Sequence, residues 1–273
     1  MKPGLLKCGL MALSLAVSLG VGMPTGATWA QVKSLDEMPE TKADFDPKVI
    51  SVTSAGNLRD MADKAGYDGG AKADFIFEVP AKAVITGLPG GKKGVDGGPA
   101  LVSGQWPETA EIWLVVRGNV YGGGGRGGNG GDPAPSDGGK GGDAISVQAP
   151  MTIVILKGAS VKGGGGGGAG AEAAAGLGGS GGGGGFPNGD PGLGGSARAS
   201  DTGYFEVGAL GRVGSPGGGG SGGTRGVVGG AGGNAAMPGQ SLSRVGGAPG
   251  NAVRKNGHEV VILSGGQVYG EIF

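Results

Sequence analysis

The chain contains one histidine, His258, and one cysteine, Cys8. Neither a Cys/His zinc cluster nor a nucleophile–histidine–acid set can be assembled from so few groups. His258 stands between a glycine run and an apolar strand, where it reads as a turn residue. Residues 87–93 look superficially like a phosphate-cradling loop, but the glycine spacing is wrong and no Ser or Thr follows the lysine. Residues 138–146 fit the nonapeptide pattern of calcium β-rolls, and 127–132 fit its first six positions, which makes Asp132 and Asp143 the ligands of an alternative calcium reading. β-Rolls use direct tandem copies, and these two copies are separated. The sequence therefore implies no enzyme and no cofactor, and its remaining chemistry is that of binding. The longest interruption of the glycine pattern, 197–212, carries Arg198, Asp201, Tyr204 and Phe205. Aromatic rings supply contact area at low entropic cost, and the charged pair supplies polar specificity. Met237, Gln240 and Leu242 extend this candidate ligand-binding surface, the other reading being that Phe205 and Val207 plug the end of a stack.

These residues must be positioned by an unusual chain. Of 273 residues, 72 are Gly, against an average usage of about 7%. Lys plus Arg equals Asp plus Glu at 22 each, so there is no electrostatic footprint for nucleic acid or an anionic membrane surface. The first thirty residues read as an export signal. Lys2 and Lys7 precede an apolar stretch from Cys8 to Met23, Pro24 breaks it, and Thr28-Trp29-Ala30 offers a cleavage site. Cleavage would leave a mature chain without cysteine or a membrane span, secreted or held at the cell surface and stabilised without disulfides.

Residues 31–48 are polar and read as a linker or arm. The stretch 49–121 reads as a small strand-rich module with one helix, in which Asn57 caps a helix over 58–65 and Gly66 stops it. Its strands centre on Phe75, Phe77, Ile85, Leu101 and Trp113.

From Gly122 the spacing changes. Arg126, Asn129 and Asp132 interrupt glycine at every third position, as do Asp137, Lys140 and Asp143, then Leu177, Ser180 and Phe186 with a glycine at 183, and later Val228, Ala231 and Asn234. A period of three matches neither a strand nor an α-helix. It matches an extended left-handed helix with three residues per turn and a rise of about 3.1 Å, in which only glycine lets neighbouring backbones approach closely. Such helices have no internal hydrogen bonds, so their N–H and C=O groups must pair between helices. The fold class expected is thus a polyglycine II helix sandwich over 122–250 with short β-strands at its base, the strand segment 144–161 interposed and 251–273 closing the strands.

An internal repeat supports the base. Asp143-Ala144-Ile145 and Asn251-Ala252-Val253 each follow a glycine run and lead to Ile153-Val154-Ile155-Leu156 or Val260-Val261-Ile262-Leu263. A related exit recurs as Asn119-Val120-Tyr121-Gly122, Ser160-Val161-Lys162-Gly163 and Gln267-Val268-Tyr269-Gly270. The expected trace leaves the strands near 122, 163, 193 and 228 and returns near 138, 177, 214 and 245. Its far-end connections are 132–137, 169–176, 197–212 and 235–244.

At these residues the sequence resembles the glycine-rich tail-fibre tip adhesins, or receptor-recognition proteins, of T-even-like phages and related prophages. The resemblance covers roughly 49–273. It rests on Asn57-Leu58-Arg59-Asp60, the glycine triplets, Gly-Gly-Asp-Ala-Ile at 141–145, Gly-Asn-Ala-Val at 250–253 and Gly-Gln-Val-Tyr-Gly-Glu-Ile-Phe at the end. It implies a polyglycine II sandwich joined to a small N-terminal module, with receptor binding through variable loops at the free end. The implied partners are a cell-surface protein or glycan receptor and an attachment partner held through residues 31–121. The export signal departs from this pattern, since tail adhesins are assembled in the cytoplasm. Ice binding by a flat face of small residues, or a structural envelope or matrix role, are the readings from other classes.

Overall fold

The structure, a computed structural model, describes residues 32–33, 47–70, 73–91, 96–131, 135–174, 177–195 and 226–273. Short apolar segments with alternating inward and outward residues form fourteen strands among the described residues, all pairing in parallel. One sheet contains β1 (Val32–Lys33), β2 (Lys48–Ser51), β4 (Asp74–Val79), β7 (Glu111–Val116), β10 (Met151–Ile155) and β13 (Val260–Ser264) in the order β1-β13-β10-β7-β4-β2. A second contains β5 (Val84–Thr86), β8 (Asn119–Tyr121), β11 (Ser160–Lys162) and β14 (Gln267–Tyr269). The third contains β3 (Gly56–Asn57), β6 (Leu101–Val102), β9 (Ile145–Ser146) and β12 (Val253–Arg254). The chain visits the three sheets in turn and rises one strand on each circuit, which makes a three-faced parallel solenoid.

Registers align like residues inside it. Ile50, Phe77, Leu114, Ile153 and Ile262 form one continuous column. Ile85, Val120, Val161 and Val268 form another. Most of these side chains are fully buried, each stabilising the fold by roughly 1.5–3 kcal/mol. The helix α1 (Leu58–Lys64) packs Leu58 and Ala62, one turn apart, into this core. Asn57 caps it as expected, its side-chain oxygen accepting from Arg59 N at 2.9 Å.

Two expectations change here. The strands of 49–121 are not separate from those that follow, because β7 pairs with β10 and β8 with β11 inside shared sheets. Glycine segments inserted between successive circuits hide that pairing in the sequence. Residues 32–33, expected in the polar arm, pair with Ile262 and Leu263.

The glycine segments leave the solenoid between the second and third sheets and hydrogen-bond laterally. Gly122, Gly125, Gly128 and Gly131 donate to the carbonyls of Lys162, Gly165, Gly168 and Ala171, so the same neighbour returns every third residue. The run's other N–H and C=O groups serve other neighbours: Gly139 donates to Arg126 O, Gly127 to Asp190 O, and Gly182 to Gly128 O. Run 122–131 thereby meets six neighbouring segments, around 90, 98, 139, 168, 182 and 190. Run 163–171 also meets six, around 125, 139, 183, 230, 240 and 247. These pairings arrange three rows, with 189–195, 178–186 and 226–233 on one side of the two central runs and 96–99, 136–142 and 246–250 on the other. Close approach demands glycine: a Cβ at Gly167 would lie 1.9 Å from Arg126 O.

The trace agrees with expectation for the first two excursions, 122–131 out and 136–142 back, then 163–171 out and 178–186 back. It differs later. Run 226–233 comes toward the strands, parallel to 180–186, because Ser180, Gly183 and Phe186 donate to Val227, Gly230 and Gly233. The turn at 234–236 therefore lies at the strand end, where Ala236 N donates to Gly163 O, and the far turn is 241–245. Triplet spacing marks a run but not its direction, which is why the sequence placed this hairpin upside down.

Candidate functional site

The far end of the glycine stack collects the turns. Hydrogen bonds link Gly131 to Ala171, Ala171 to Ser180, Gly195 to Gly179, and Ser180 to Val227, so these positions share one level at the end remote from the sheets. Around that level lie Leu177, Leu193, Val228, Leu242 and Val245, five of the large apolar residues left exposed on this protein. Each emerges where a run ends or turns, so a Cβ is no longer blocked by a neighbouring backbone.

Polar side chains hold the turns. Ser136 Oγ accepts from Asn129 N at 2.7 Å, and Asn129 Oδ1 accepts from Leu193 N at 3.0 Å. Asp137 Oδ1 accepts from Val245 N at 2.9 Å, and Ser241 Oγ accepts from Gly246 N at 2.9 Å. Leu242 N donates to Arg244 O, which closes a tight turn with Leu242, Ser243 and Arg244 all exposed.

The sequence-derived candidates divide. Arg198, Asp201, Tyr204 and Phe205 lie outside the described residues, as does Asp132. Leu242 is on the far turn. Met237 is exposed but lies toward the strand end, its carbonyl accepting from Gly166 N. Gln240 lies between them, and its Oε1 accepts from Ala231 N at 3.0 Å, bridging its own run to the adjacent one. The structure therefore does not bring Met237 and Leu242 together: five residues of extended chain separate them by roughly 15 Å.

Asp143, the other residue of the calcium alternative, is committed within the protein. Its Oδ1 accepts from Asn251 N at 2.8 Å and Asn251 Nδ2 at 2.9 Å, and its Oδ2 accepts from Arg254 Nε. The hydrogen bond with Asp143 raises the Arg254 pKa, as expected for a charge-assisted pair. Among the described residues no group of three or more His, Cys, Asp or Glu side chains is placed to hold a metal ion. His258 sits in a turn, its N–H donating to Lys255 O at 3.0 Å.

Two cations were not anticipated as buried. Arg126 is 2% exposed inside the stack. Its Nη2 donates to Asn129 Oδ1 at 3.0 Å, its Nε and Nη1 have no acceptor among the described residues, and desolvation lowers its pKa. Lys162 lies on the outer face of β11 between Tyr121 and Tyr269, and burial lowers its pKa as well. The repeated exits Asn-Val-Tyr, Ser-Val-Lys and Gln-Val-Tyr carried the signal for the second, since parallel in-register copies must place Lys beside two Tyr.

Residues 47–273 match the family described as phage tail fibre adhesin Gp38, and the chain belongs to that family. The fold is similar to a chain in the crystal structure of the gp37–gp38 adhesin tip complex of the bacteriophage S16 long tail fibre. That similarity has a TM-score of 0.56 and 23% identity over 83% of this chain and 82% of that one. Comparison with curated proteins gives no match.

Proposed function

We propose that this protein is a receptor-binding adhesin in which the stacked glycine runs are polyglycine II helices and the turns at their far end contact a surface protein or glycan of a target cell. The observation that carries the reading is the pairing of a period-three, six-neighbour backbone lattice with exposed Leu177, Leu193, Leu242 and Val245 at its far end. A stack built mainly on close backbone approach is a rigid spacer, and the exposed apolar side chains of its far-end turns lie where a partner can reach them. The loop 197–212, with Arg198, Asp201, Tyr204 and Phe205, belongs to the same surface in this reading. Residues 31–121 attach the molecule to a larger assembly, in keeping with the complex formed by the similar S16 chain. The N-terminal thirty residues support export, which would place the adhesin outside the cell that makes it.

The test is binding of the labelled full chain to a panel of bacterial strains. Wild type is expected to bind a subset of strains. Leu242→Asp with Arg244→Glu is expected to abolish that binding while leaving the unfolding temperature unchanged. Binding that survives this double variant and a Tyr204→Ala, Phe205→Ala variant would refute far-end recognition.

A further inference from the structure

The outer face of the second sheet carries two aligned rows. Asn119, Ser160 and Gln267 are in register across β8, β11 and β14, and two residues on, Tyr121, Lys162 and Tyr269 are in register too. The alternating residues Val120, Val161 and Val268 point into the core, so all six polar and aromatic side chains share the outer face. Five of them, Asn119, Tyr121, Ser160, Lys162 and Gln267, line an open cavity of about 420 Å³ with Gly158, Gly265 and Gly266, while Tyr269 flanks Lys162. A Cβ at Gly266 would meet Ala159 O at 2.7 Å, so the chain passes closely there.

At its centre Lys162 is 9% exposed. Its ammonium lies 5.5 Å from the Tyr121 ring centroid and 4.9 Å from that of Tyr269. Among the described residues it has these two rings and no carboxylate. Ring faces attract a cation but do not neutralise it, and a sequestered charge without a counter-ion is costly. Ser160 Oγ donates to Asn119 Oδ1 at 2.6 Å, which fixes the Asn119 amide and aligns its Nδ2 as a donor. Gln267 is exposed beside it and the half-buried Tyr121 shares the lining, so a ring and two amides face an entering ligand.

We propose that this cavity binds a sugar acid, a pyranose carrying one carboxylate. A single cation matches a single negative charge. The amides of Asn119 and Gln267 suit ring hydroxyls, and the Tyr121 ring in the lining suits the apolar C–H face of a pyranose. The volume lies within the range of small-ligand sites, about 300–1,000 Å³. The site is on the strand base and does not depend on recognition at the far end, so either can fail without the other.

The experiment is a calorimetric or NMR titration of the full chain with sodium glucuronate, with glucose and sodium acetate titrated separately. Glucuronate is expected to saturate a single site, with glucose and acetate each at least about tenfold weaker. Lys162→Met is expected to weaken glucuronate about tenfold or more while raising the unfolding temperature, because it removes an unpaired buried charge. Gln267→Ala alters an exposed side chain, should leave the fold intact, and is expected to weaken glucuronate about threefold without affecting acetate. Three results would each overturn the proposal: no saturation by glucuronate, acetate binding as tight as glucuronate, or an unchanged dissociation constant in both variants.

Discussion

Replacing Gly167 by Ala is the sharpest perturbation of the glycine stack. Its added Cβ would lie 1.9 Å from Arg126 O and 2.3 Å from the Arg126 carbonyl carbon. Ordinary contact begins at 3.4 Å, so the two central runs must separate by roughly 1.5 Å. Gly125 N donates to Gly165 O at 2.9 Å and Gly128 N to Gly168 O at 2.8 Å across that seam, and Gly139 N donates to Arg126 O at 2.7 Å beside it. A shift of that size takes these bonds out of range at about 1 kcal/mol each. Overpacking adds roughly 1–3 kcal/mol, and alanine returns about 0.4–1 kcal/mol by stiffening the unfolded chain. The net loss is about 3–5 kcal/mol, a large fraction of the stability of an ordinary domain. Gly91→Ala is the control, since nothing lies within 4 Å of its Cβ position and its φ is not left-handed. Scanning calorimetry of the two variants beside wild type measures the difference. Gly91→Ala should fall within about 0.5 kcal/mol of wild type or gain slightly. Equal stability of the two variants would refute the close-packed lattice, because a flexible glycine tract would accept alanine anywhere.

Other outcomes follow from the same contacts. Asp143→Ala removes the acceptor of the Asn251 N–H and the partner of Arg254, and urea unfolding should show a loss of about 2–3 kcal/mol, with Asp143→Asn losing roughly half as much. Millimolar calcium should leave the wild-type unfolding temperature unchanged, since Asp143 is already engaged, and a rise of several degrees would restore the calcium alternative. Arg126→Met should be at least as stable as wild type, because it replaces a buried guanidinium with two unpartnered nitrogens by a chain of similar length. A loss above about 2 kcal/mol in thermal unfolding would show that Arg126 is better satisfied than its geometry indicates.

Local signals carried much of this architecture. Asn57 before Leu58 and Gly66 after Ala65 located α1, because capping is decided by adjacent residues. The triplet spacing of Arg126 and Asn129 located runs whose hydrogen bonds do return every third residue. What stayed hidden was long-range. The pairing of Val120 with Val161 and of Val161 with Val268 spans whole glycine excursions, so the strand-rich stretch looked self-contained. Run direction was equally hidden, since an extended glycine run reads alike both ways, and Met237 was therefore grouped with Leu242. The burial of Arg126 left no trace in the triplet pattern, where charged and neutral residues interrupt glycine alike. The aligned face of Tyr121, Lys162 and Tyr269 was written in the repeated exits and became visible once their strands were known to be parallel and in register.

The account rests on the glycine runs being an ordered, laterally bonded body, and amide hydrogen exchange of the full chain tests this most directly. The N–H groups of Gly125, Gly128, Gly167 and Gly168, all donors inside the two six-neighbour runs, should be protected to nearly the same degree as Val120 and Val161 in the strand base. Exchange at those glycines at unfolded-chain rates, with the strand base still protected, would contradict the stack and the far-end surface it is proposed to carry.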